Sequence, residues 1–201
     1  MKPQSIILSL GAAILLVVGA FLWVEFANGE YEFNGSTFEP FPDAYPFELV
    51  DADGELIRLE DMRGKVALVF FGYTNCPDVC PTTLIDFKRM IDDLGIEATG
   101  VEFVFIAVDP ARDTPERMAE YAHAFDENII ALSGTEEELR LVWDGYYFDP
   151  DYEEPDESGN YLVSHSGRVF VVDKSGRLRL TFPAGMAVGG MLADIRFLIA
   201  E

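Results

Sequence analysis

Two long apolar runs, each followed by a helical pattern, constrain the fold of this chain most strongly. The runs are Val66–Phe71 and Val101–Val108, and both are rich in β-branched and aromatic residues, which favours buried strands over surface helices. The segments that follow them, Val79–Leu94 and 114–125, are predicted to be helices. This alternation predicts an α/β domain in which helices cover both faces of a sheet.

Shorter elements complete the pattern on either side of this core. Hairpins with Asp- and Gly-containing turns are predicted at 47–50 with 56–59 and at 169–172 with 178–181. A short strand is predicted at 129–132, and helices are predicted at 136–143 and 186–199. The order is strand, helix, strand, helix, then an antiparallel hairpin and a final helix. That is the order of thioredoxin, so a thioredoxin-like fold is expected.

The two cysteines of the chain, Cys76 and Cys80, lie in the turn between the first long strand and its helix. If the first helical turn includes them, a spacing of four residues puts both thiols on one face. Such a pair can close a disulfide, or it can hold a soft metal ion with a third ligand from elsewhere. A structural bridge over so short a loop gains little. The spacing also differs from the C-x-x-C of thioredoxin-like redox enzymes.

His165 is the candidate third ligand. It precedes the strand predicted at 169–172, a position that packs against the thiol turn in a thioredoxin-like domain. Thioredoxins have a proline there, whereas no proline lies between Gly159 and Phe182 in this chain. Two thiolates and one imidazole suit Cu(I) and also Cu(II), while a structural zinc site would require a fourth protein ligand. The other histidine, His123, is expected to be a partly buried packing residue.

Two carboxylates are candidates for tuning this site. Asp78 lies inside the thiol turn, where it could approach a metal or serve as a carboxylate at the helix N-terminus. Asp109 follows the second long strand, at the same edge of the sheet. There it could lie near the site and tune its ligands, or it could pair with Arg112. Asp113 or Thr114 could cap the next helix.

The N-terminal segment Ser5–Val24 is uncharged and apolar, and as a helix it would be about 30 Å long, enough to cross a bilayer. The apolar region of a signal peptide is shorter, about 7 to 15 residues. We therefore expect a retained anchor over 1–27, a tether over 28–46 and the domain over 47–201. Lys2 precedes the span and acidic residues follow it, which predicts a cytoplasmic N-terminus and a domain on the outer face of the membrane.

The formal net charge of −22 argues against a nucleic-acid partner and against direct docking on anionic lipid. The densest acidic run, Asp149–Glu157, has six carboxylates in nine residues together with two prolines. This composition predicts an exposed loop. An acidic surface either keeps the domain soluble or attracts cations or a basic partner.

The chain resembles the Sco/SenC family of membrane-anchored copper proteins over residues 45–200. The resemblance rests on FGYTNCPDVCPTTL at 71–84, DPARDTP at 109–115, and His-Ser at 165–166 before Val-Val-Asp at 171–173. It implies a thioredoxin-like fold and one copper per chain, bound by Cys76, Cys80 and His165. The family commonly has Asp before the ligand histidine. This chain has Ser164 there, which bears on the strength of Cu(II) binding and not on the identity of the ligands.

Members of that family serve the assembly of the copper A centre in subunit II of cytochrome c oxidase, as a copper donor, as a thiol reductant, or both. The leading hypothesis is therefore a copper metallochaperone whose partners are subunit II and an unidentified copper donor. One alternative is a thiol–disulfide oxidoreductase, which has no use for an imidazole at position 165. The other is a peroxidase-like thiol enzyme, for which Thr74 and Arg112 are candidate residues.

Overall fold

The computed structural model describes residues 17–19, 31–164 and 166–201. Residues 33–201 form one structural unit and residues 1–32 form another. Of the second unit, only residues 17–19, which are helical, and residues 31–32 are described. The strands are β1 (Ser36–Thr37), β2 (Glu48–Val50), β3 (Leu56–Arg58), β4 (Val66–Gly72), β5 (Val101–Ala107), β6 (Ile129–Leu132), β7 (Asp151–Tyr152), β8 (Val163–Ser164), β9 (Val169–Val172) and β10 (Leu178–Phe182). The α-helices of residues 33–201 are α1 (Val79–Leu94), α2 (Pro115–His123), α3 (Glu136–Gly145) and α4 (Val188–Ala200), and short 3-10 turns cover Leu59–Met62 and Gly95–Gly100.

Six strands form the central sheet in the order β1–β10–β9–β4–β5–β6. β4, β5 and β6 run parallel, whereas β9 is antiparallel to β4 and β10 is antiparallel to β9. This arrangement confirms the thioredoxin-like α/β fold predicted from the sequence. The register pairs Gly72 with Ala107 at the carboxyl ends of β4 and β5. The loops that follow these two strands therefore start side by side, at the edge where open α/β sheets place their ligands.

The apolar core fixes the helix that carries the cysteines. All seven residues of β4 are buried, as expected for a parallel strand covered on both faces. The ring of Phe70 on β4 stacks on that of Phe105 on β5 with centroids 5.7 Å apart. It also meets the edge of Phe87 on α1 at 6.4 Å. Leu84, Phe87 and Met90 recur on the buried side of α1, so this side locks the helix onto the sheet.

The segment before residue 47 packs on the domain from residue 33 onwards. β1 pairs with β10 at one edge of the sheet. The buried carboxylate of Asp194 on α4 accepts hydrogen bonds from the backbone N–H groups of Asn34, at 3.0 Å, and Gly35, at 2.9 Å. Phe33 meets the edge of Phe197 with ring centroids 5.5 Å apart. Much of the predicted tether, 28–46, is thus bound to the domain surface.

Within the part of the chain that the structure describes, no helix is long and apolar enough to cross a membrane. The predicted span, Ser5–Val24, lies outside the described residues except for the helical residues 17–19. The predicted limit of the anchor at residue 27 also lies outside them. The anchor therefore stays a prediction.

The acidic run at 149–157 differs from the predicted loop, because β7 within it pairs antiparallel with β8. Residues 151–164, here called the acidic hairpin, are extended by a backbone bond of 3.0 Å from Glu153 N–H to the carbonyl of Leu162. At the tip, Asp156 accepts the N–H groups of Ser158, at 2.8 Å, and Asn160, at 2.9 Å. Two-residue strands leave no alternating apolar pattern, so periodicity could not predict this hairpin.

Candidate metal centre

The thiol loop, residues 73–78, connects β4 to α1 and carries the first cysteine. Cys76 is half-buried, and Cys80 is fully buried in the first turn of α1. The N–H of Cys76 donates to the carbonyl of Tyr73 at 3.3 Å, which folds the loop back on itself. The N–H of Cys80 donates to Sγ of Cys76 at 3.4 Å. The structure thus brings the two predicted site cysteines together at the N-terminus of one helix.

Room for the Cys80 side chain depends on Gly72. A Cβ atom at position 72 would lie 2.6 Å from Sγ of Cys80 and 2.7 Å from a ring carbon of Phe105. Both separations are too short for real contacts, so any larger side chain would push the sulfur or the ring away. Sequence reasoning missed this residue, although a glycine directly after a continuous apolar run was a signal of close approach.

The two sulfurs have different chemistry. A hydrogen bond with the Cys76 side chain, followed by burial, raises the pKa of the Cys80 thiol well above its ordinary value. Cys76 receives a backbone N–H at the start of a helix, an environment that favours negative charge on its sulfur. Cys76 is therefore the more accessible sulfur, and Cys80 is its buried partner with a raised pKa.

A buried carboxylate from the loop after β5 holds the thiol loop. Asp113 accepts the N–H of Thr74 at 3.0 Å and its hydroxyl at 2.6 Å. Burial raises the pKa of Asp113, although the hydrogen bonds from Thr74 oppose the shift. Arg117 on α2 adds bonds to the Thr74 hydroxyl, at 2.9 Å, and to Oδ1 of Asn75, at 2.6 Å. Of the two predicted cap candidates, Thr114 caps α2, and Asp113 instead fixes the loop.

Asp109 is fully buried after β5 and forms the predicted ion pair with Arg112. Its other oxygen accepts the hydroxyl of Tyr161 at 2.8 Å. The guanidinium carbon of Arg112 lies 3.5 Å from the ring centroid of Tyr161 and 5.9 Å from that of Tyr73. These contacts connect Asp109 with the acidic hairpin. Arg112 and Thr74, the candidates for a peroxidase site, are thus engaged in structural hydrogen bonds and ion pairs.

The structure describes some of the remaining predicted residues and not others. Asp78 is the exposed N-cap residue of α1, and its side chain makes no capping hydrogen bond. His165, the predicted third ligand, lies outside the described residues. Leaving His165 aside, the described chain contains no group of three or more His, Cys, Asp or Glu side chains placed to hold a metal ion. His123 is exposed at the end of α2, so its predicted packing role was wrong: Ala122 is the buried residue there.

The donor set of this loop fits a soft metal ion. One sulfur lies on the thiol loop and accepts a backbone hydrogen bond, and the other lies in the first turn of α1. Such a sulfur pair binds Cu(I) in preference to harder cations. The same pair can form and break a disulfide, because thiol–disulfide exchange needs one thiolate and one neighbouring sulfur. The geometry of the described residues supports both kinds of chemistry.

Comparison with known proteins finds a family whose members are similar to this chain in sequence. The profile of the SCO1/SenC family matches residues 39–200. An SCO2-like protein of Rickettsia prowazekii is 38% identical over 133 residues, which cover 66% of this chain and 65% of that protein. The chain thus spans a little under two thirds of the length of this relative.

Two solved structures are similar to the chain in fold and sequence. The Bradyrhizobium japonicum ScoI structure with copper bound has a TM-score of 0.72 and 34% identity, and the match covers 78% of this chain and 99% of ScoI. The apo Sco1 protein from Thermus thermophilus has a TM-score of 0.76 and 34% identity, with 85% of this chain and 99% of Sco1 covered. The match to both extends over nearly the whole of each solved chain.

Proposed function

The chain belongs to the SCO1/SenC family, and we propose that it is a copper metallochaperone. Copper is its cargo, with one ion per chain held by Cys76, Cys80 and His165. The observation that carries the proposal is the pairing of Cys76 on the thiol loop with Cys80 in the first turn of α1, where the N–H of Cys80 donates to Sγ of Cys76. Copper in the structure of a relative, ScoI, supports the choice of metal.

The three proposed ligands contribute differently to the binding of Cu(I) and Cu(II). Two thiolates satisfy Cu(I), whereas Cu(II) takes more ligands and gains from an imidazole. Asp78 and Asp109 are proposed to tune the site without being ligands. Asp109 is suited to this role because its carboxylate is buried and accepts a hydrogen bond from Tyr161 of the acidic hairpin, two residues before β8 begins.

The setting of this function follows from the N-terminal segment. We propose that Ser5–Val24 spans the cytoplasmic membrane once, with the N-terminus inside and the domain on the periplasmic or outer face. The acceptor would be subunit II of cytochrome c oxidase, during assembly of its copper A centre, and the copper donor would be another protein. The net charge of −22 makes nucleic acid an unfavourable partner.

Titration of the reduced full-length protein in detergent, under argon, tests the proposal. One Cu(I) per chain is expected, together with thiolate-to-copper charge-transfer absorption when Cu(II) is added. His165→Ala should weaken Cu(II) binding far more than Cu(I) binding. Two tightly held coppers per chain, or none, would refute the single site, and an unchanged Cu(II) affinity in His165→Ala would remove that residue from it.

A second candidate function, reduction of a partner disulfide, is favoured by the inequality of the two thiols. Cys76 is half-exposed and can attack a partner disulfide, which releases one partner thiolate and forms a mixed disulfide. Cys80, already hydrogen-bonded to Cys76, then gives its proton to the partner thiolate released in the first step and attacks the Cys76 sulfur, which releases the second partner thiolate and leaves a Cys76–Cys80 disulfide. His165→Ala separates the functions: if cells with this variant lose oxidase assembly while the purified protein still reduces disulfides, copper handling is the essential activity.

A further inference from the structure

The strand that leads to His165 is hydrogen-bonded to the thiol loop, which carries Cys76 and leads into α1. Val163, on β8, lies two residues before His165 and is buried. Its N–H donates to the hydroxyl oxygen of Tyr73, the first residue of the thiol loop, at 3.2 Å. The side chain of Tyr73 is itself buried, so the bond is shielded from water. One tyrosine hydroxyl thus joins the backbone before one proposed ligand, His165, to the loop that carries Cys76.

A second tyrosine holds the residues directly before the same strand. Tyr161, two residues before Val163, donates its hydroxyl to Asp109 at 2.8 Å. The Arg112 guanidinium, paired with Asp109, covers the Tyr161 ring at 3.5 Å from its centroid. Because Asp109 follows β5 and the thiol loop follows β4, two neighbouring strand ends of the rigid sheet hold the hairpin.

The other strand of the acidic hairpin has its own attachment. Tyr152 on β7 donates its hydroxyl to the carbonyl of Val108 at 2.7 Å. The register places Tyr152 opposite Val163. Loss of a single hydroxyl at position 73 or 161 should therefore loosen β8 without detaching the hairpin, which makes these residues suitable for substitution.

We propose that Tyr73 and Tyr161 are positioning residues that hold β8, and with it the backbone before His165, against the thiol loop before copper arrives. The part of the inference that concerns copper rests on the proposed function, whereas the contacts of the two tyrosines do not depend on copper. Ordering a mobile segment costs conformational entropy, and a segment that is already ordered does not lose that entropy again on binding. Preorganisation by the two hydroxyls therefore raises affinity for any copper state that uses the ligand after β8.

The oxidation states of copper should respond differently to loss of this preorganisation. Cu(I) is satisfied by Cys76 and Cys80, which stay on the thiol loop and α1 whether or not β8 is held. Cu(II) requires further ligands and depends on the residue after β8. A positioning role thus predicts a selective loss of Cu(II) affinity, whereas general destabilisation of the fold would affect both states.

Tyr73→Phe and Tyr161→Phe test the proposal, with Tyr146→Phe as the matched control. Among the described residues the buried hydroxyl of Tyr146 has no hydrogen-bond partner, so its removal changes no bond. In the metal-free protein, exchange of the Val163 amide should accelerate at least about tenfold in Tyr73→Phe. Each of the two variants should weaken Cu(II) binding by about tenfold and leave Cu(I) binding within about twofold, as estimated from one buried hydrogen bond. The control should match the wild-type protein in both copper titrations and should not accelerate exchange of the Val163 amide.

The two copper titrations and the exchange measurement keep the inference separate from the proposed function. If the wild-type protein binds no copper, the proposed function fails, and accelerated exchange at Val163 still supports the positioning of β8. If copper binds but both variants keep wild-type Cu(II) affinity, the positioning role is refuted. Unchanged exchange at Val163 in Tyr73→Phe, or an equal loss of Cu(I) and Cu(II) binding, also refutes it.

Discussion

The backbone N–H of Cys80 donates to Sγ of Cys76 across 3.4 Å, so the first turn of α1 binds the side chain four residues before it. The Cys80 thiol forms a further hydrogen bond with the Cys76 side chain, which raises the Cys80 pKa. Both interactions converge on one sulfur. The two cysteines therefore differ in exposure and in hydrogen bonding before any metal or partner binds.

Selective alkylation should reveal this inequality. In the reduced, metal-free protein at pH 7, Cys76 should react with iodoacetamide at least about tenfold faster than Cys80, because burial and a raised pKa both slow the reaction of Cys80. Peptide mass mapping after brief exposure measures the ratio. Unfolding in urea serves as the control and should equalise the two rates. Equal labelling of the folded protein would contradict the assignment.

Each sulfur should be necessary for the chemistry of the pair. Cys76→Ser and Cys80→Ser are each expected to abolish tight copper binding and also disulfide reduction, because each leaves one sulfur where both activities use two. Copper titration and reduction of a model disulfide measure the two losses. A variant that kept wild-type copper affinity would disprove the shared site.

Gly72→Ala should disturb Cys80 without touching either sulfur chemically. The new Cβ would lie 2.6 Å from Sγ of Cys80, so overpacking should lower the unfolding free energy by about 1–3 kcal/mol. Copper binding should weaken as well, because the sulfur must move. Gly100→Ala is the control, since its Cβ would meet nothing closer than 3.6 Å. Urea unfolding compares the two, and equal stabilities would contradict the close approach at Gly72.

Much of the fold was predictable because long periodic segments carry their own signals. The bounds of α1, β6 and β9 agree with prediction residue for residue. Gly95, which ends α1 with a φ of +54°, is the kind of stop signal that a sequence displays openly. β1, β7 and β8 have two residues each, too few to show an alternating pattern, and their pairing is set by tertiary contacts.

The site was predictable where its chemistry is local in the sequence. Cys76 and Cys80 are four residues apart, so the thiol loop and the first turn of α1 bring them together, and the N–H of Cys80 donates to Sγ of Cys76. The bond of Tyr73 spans 90 positions and that of Tyr161 spans 52. No spacing rule connects such residues. Asp113 was open to the local interpretation of a helix cap, although its bonds go to Thr74 on another loop.

Tyr146→Phe should stabilise the protein. The Tyr146 side chain packs at 5.2 Å from Phe71 and 5.1 Å from Phe170, contacts that a phenylalanine ring would retain. Within residues 33–201 as described, its buried hydroxyl has no hydrogen-bond partner. Removing an unsatisfied buried polar group should raise the unfolding free energy by about 1 kcal/mol. Urea unfolding measures the change, and a loss of stability would show that the hydroxyl is bonded in solution.

Two aspartates of opposite environment should give opposite pH dependences of stability. Burial raises the pKa of Asp113 above its usual 3.8, so the folded protein binds this proton more tightly than the unfolded chain does. Its contribution to stability is present below pH 3.8 and is lost as the pH rises through the raised pKa. In Asp156, backbone N–H donors from Asn160 and Ser158 lower the pKa. Its contribution is present above pH 3.8 and is lost as the pH falls.

Asp113→Asn and Asp156→Asn isolate these contributions, because all other titrating groups cancel when each variant is compared with the wild type. As the pH rises from about 3 to 7, the stability of the wild type relative to Asp113→Asn should fall, and relative to Asp156→Asn it should rise. Urea unfolding at a series of pH values measures both differences. Interactions that both protonation states of a carboxylate make equally shift a whole curve up or down, whereas those that favour one protonation state set its slope. A flat difference for Asp113→Asn would mean that the hydrogen bonds from Thr74 offset its burial completely.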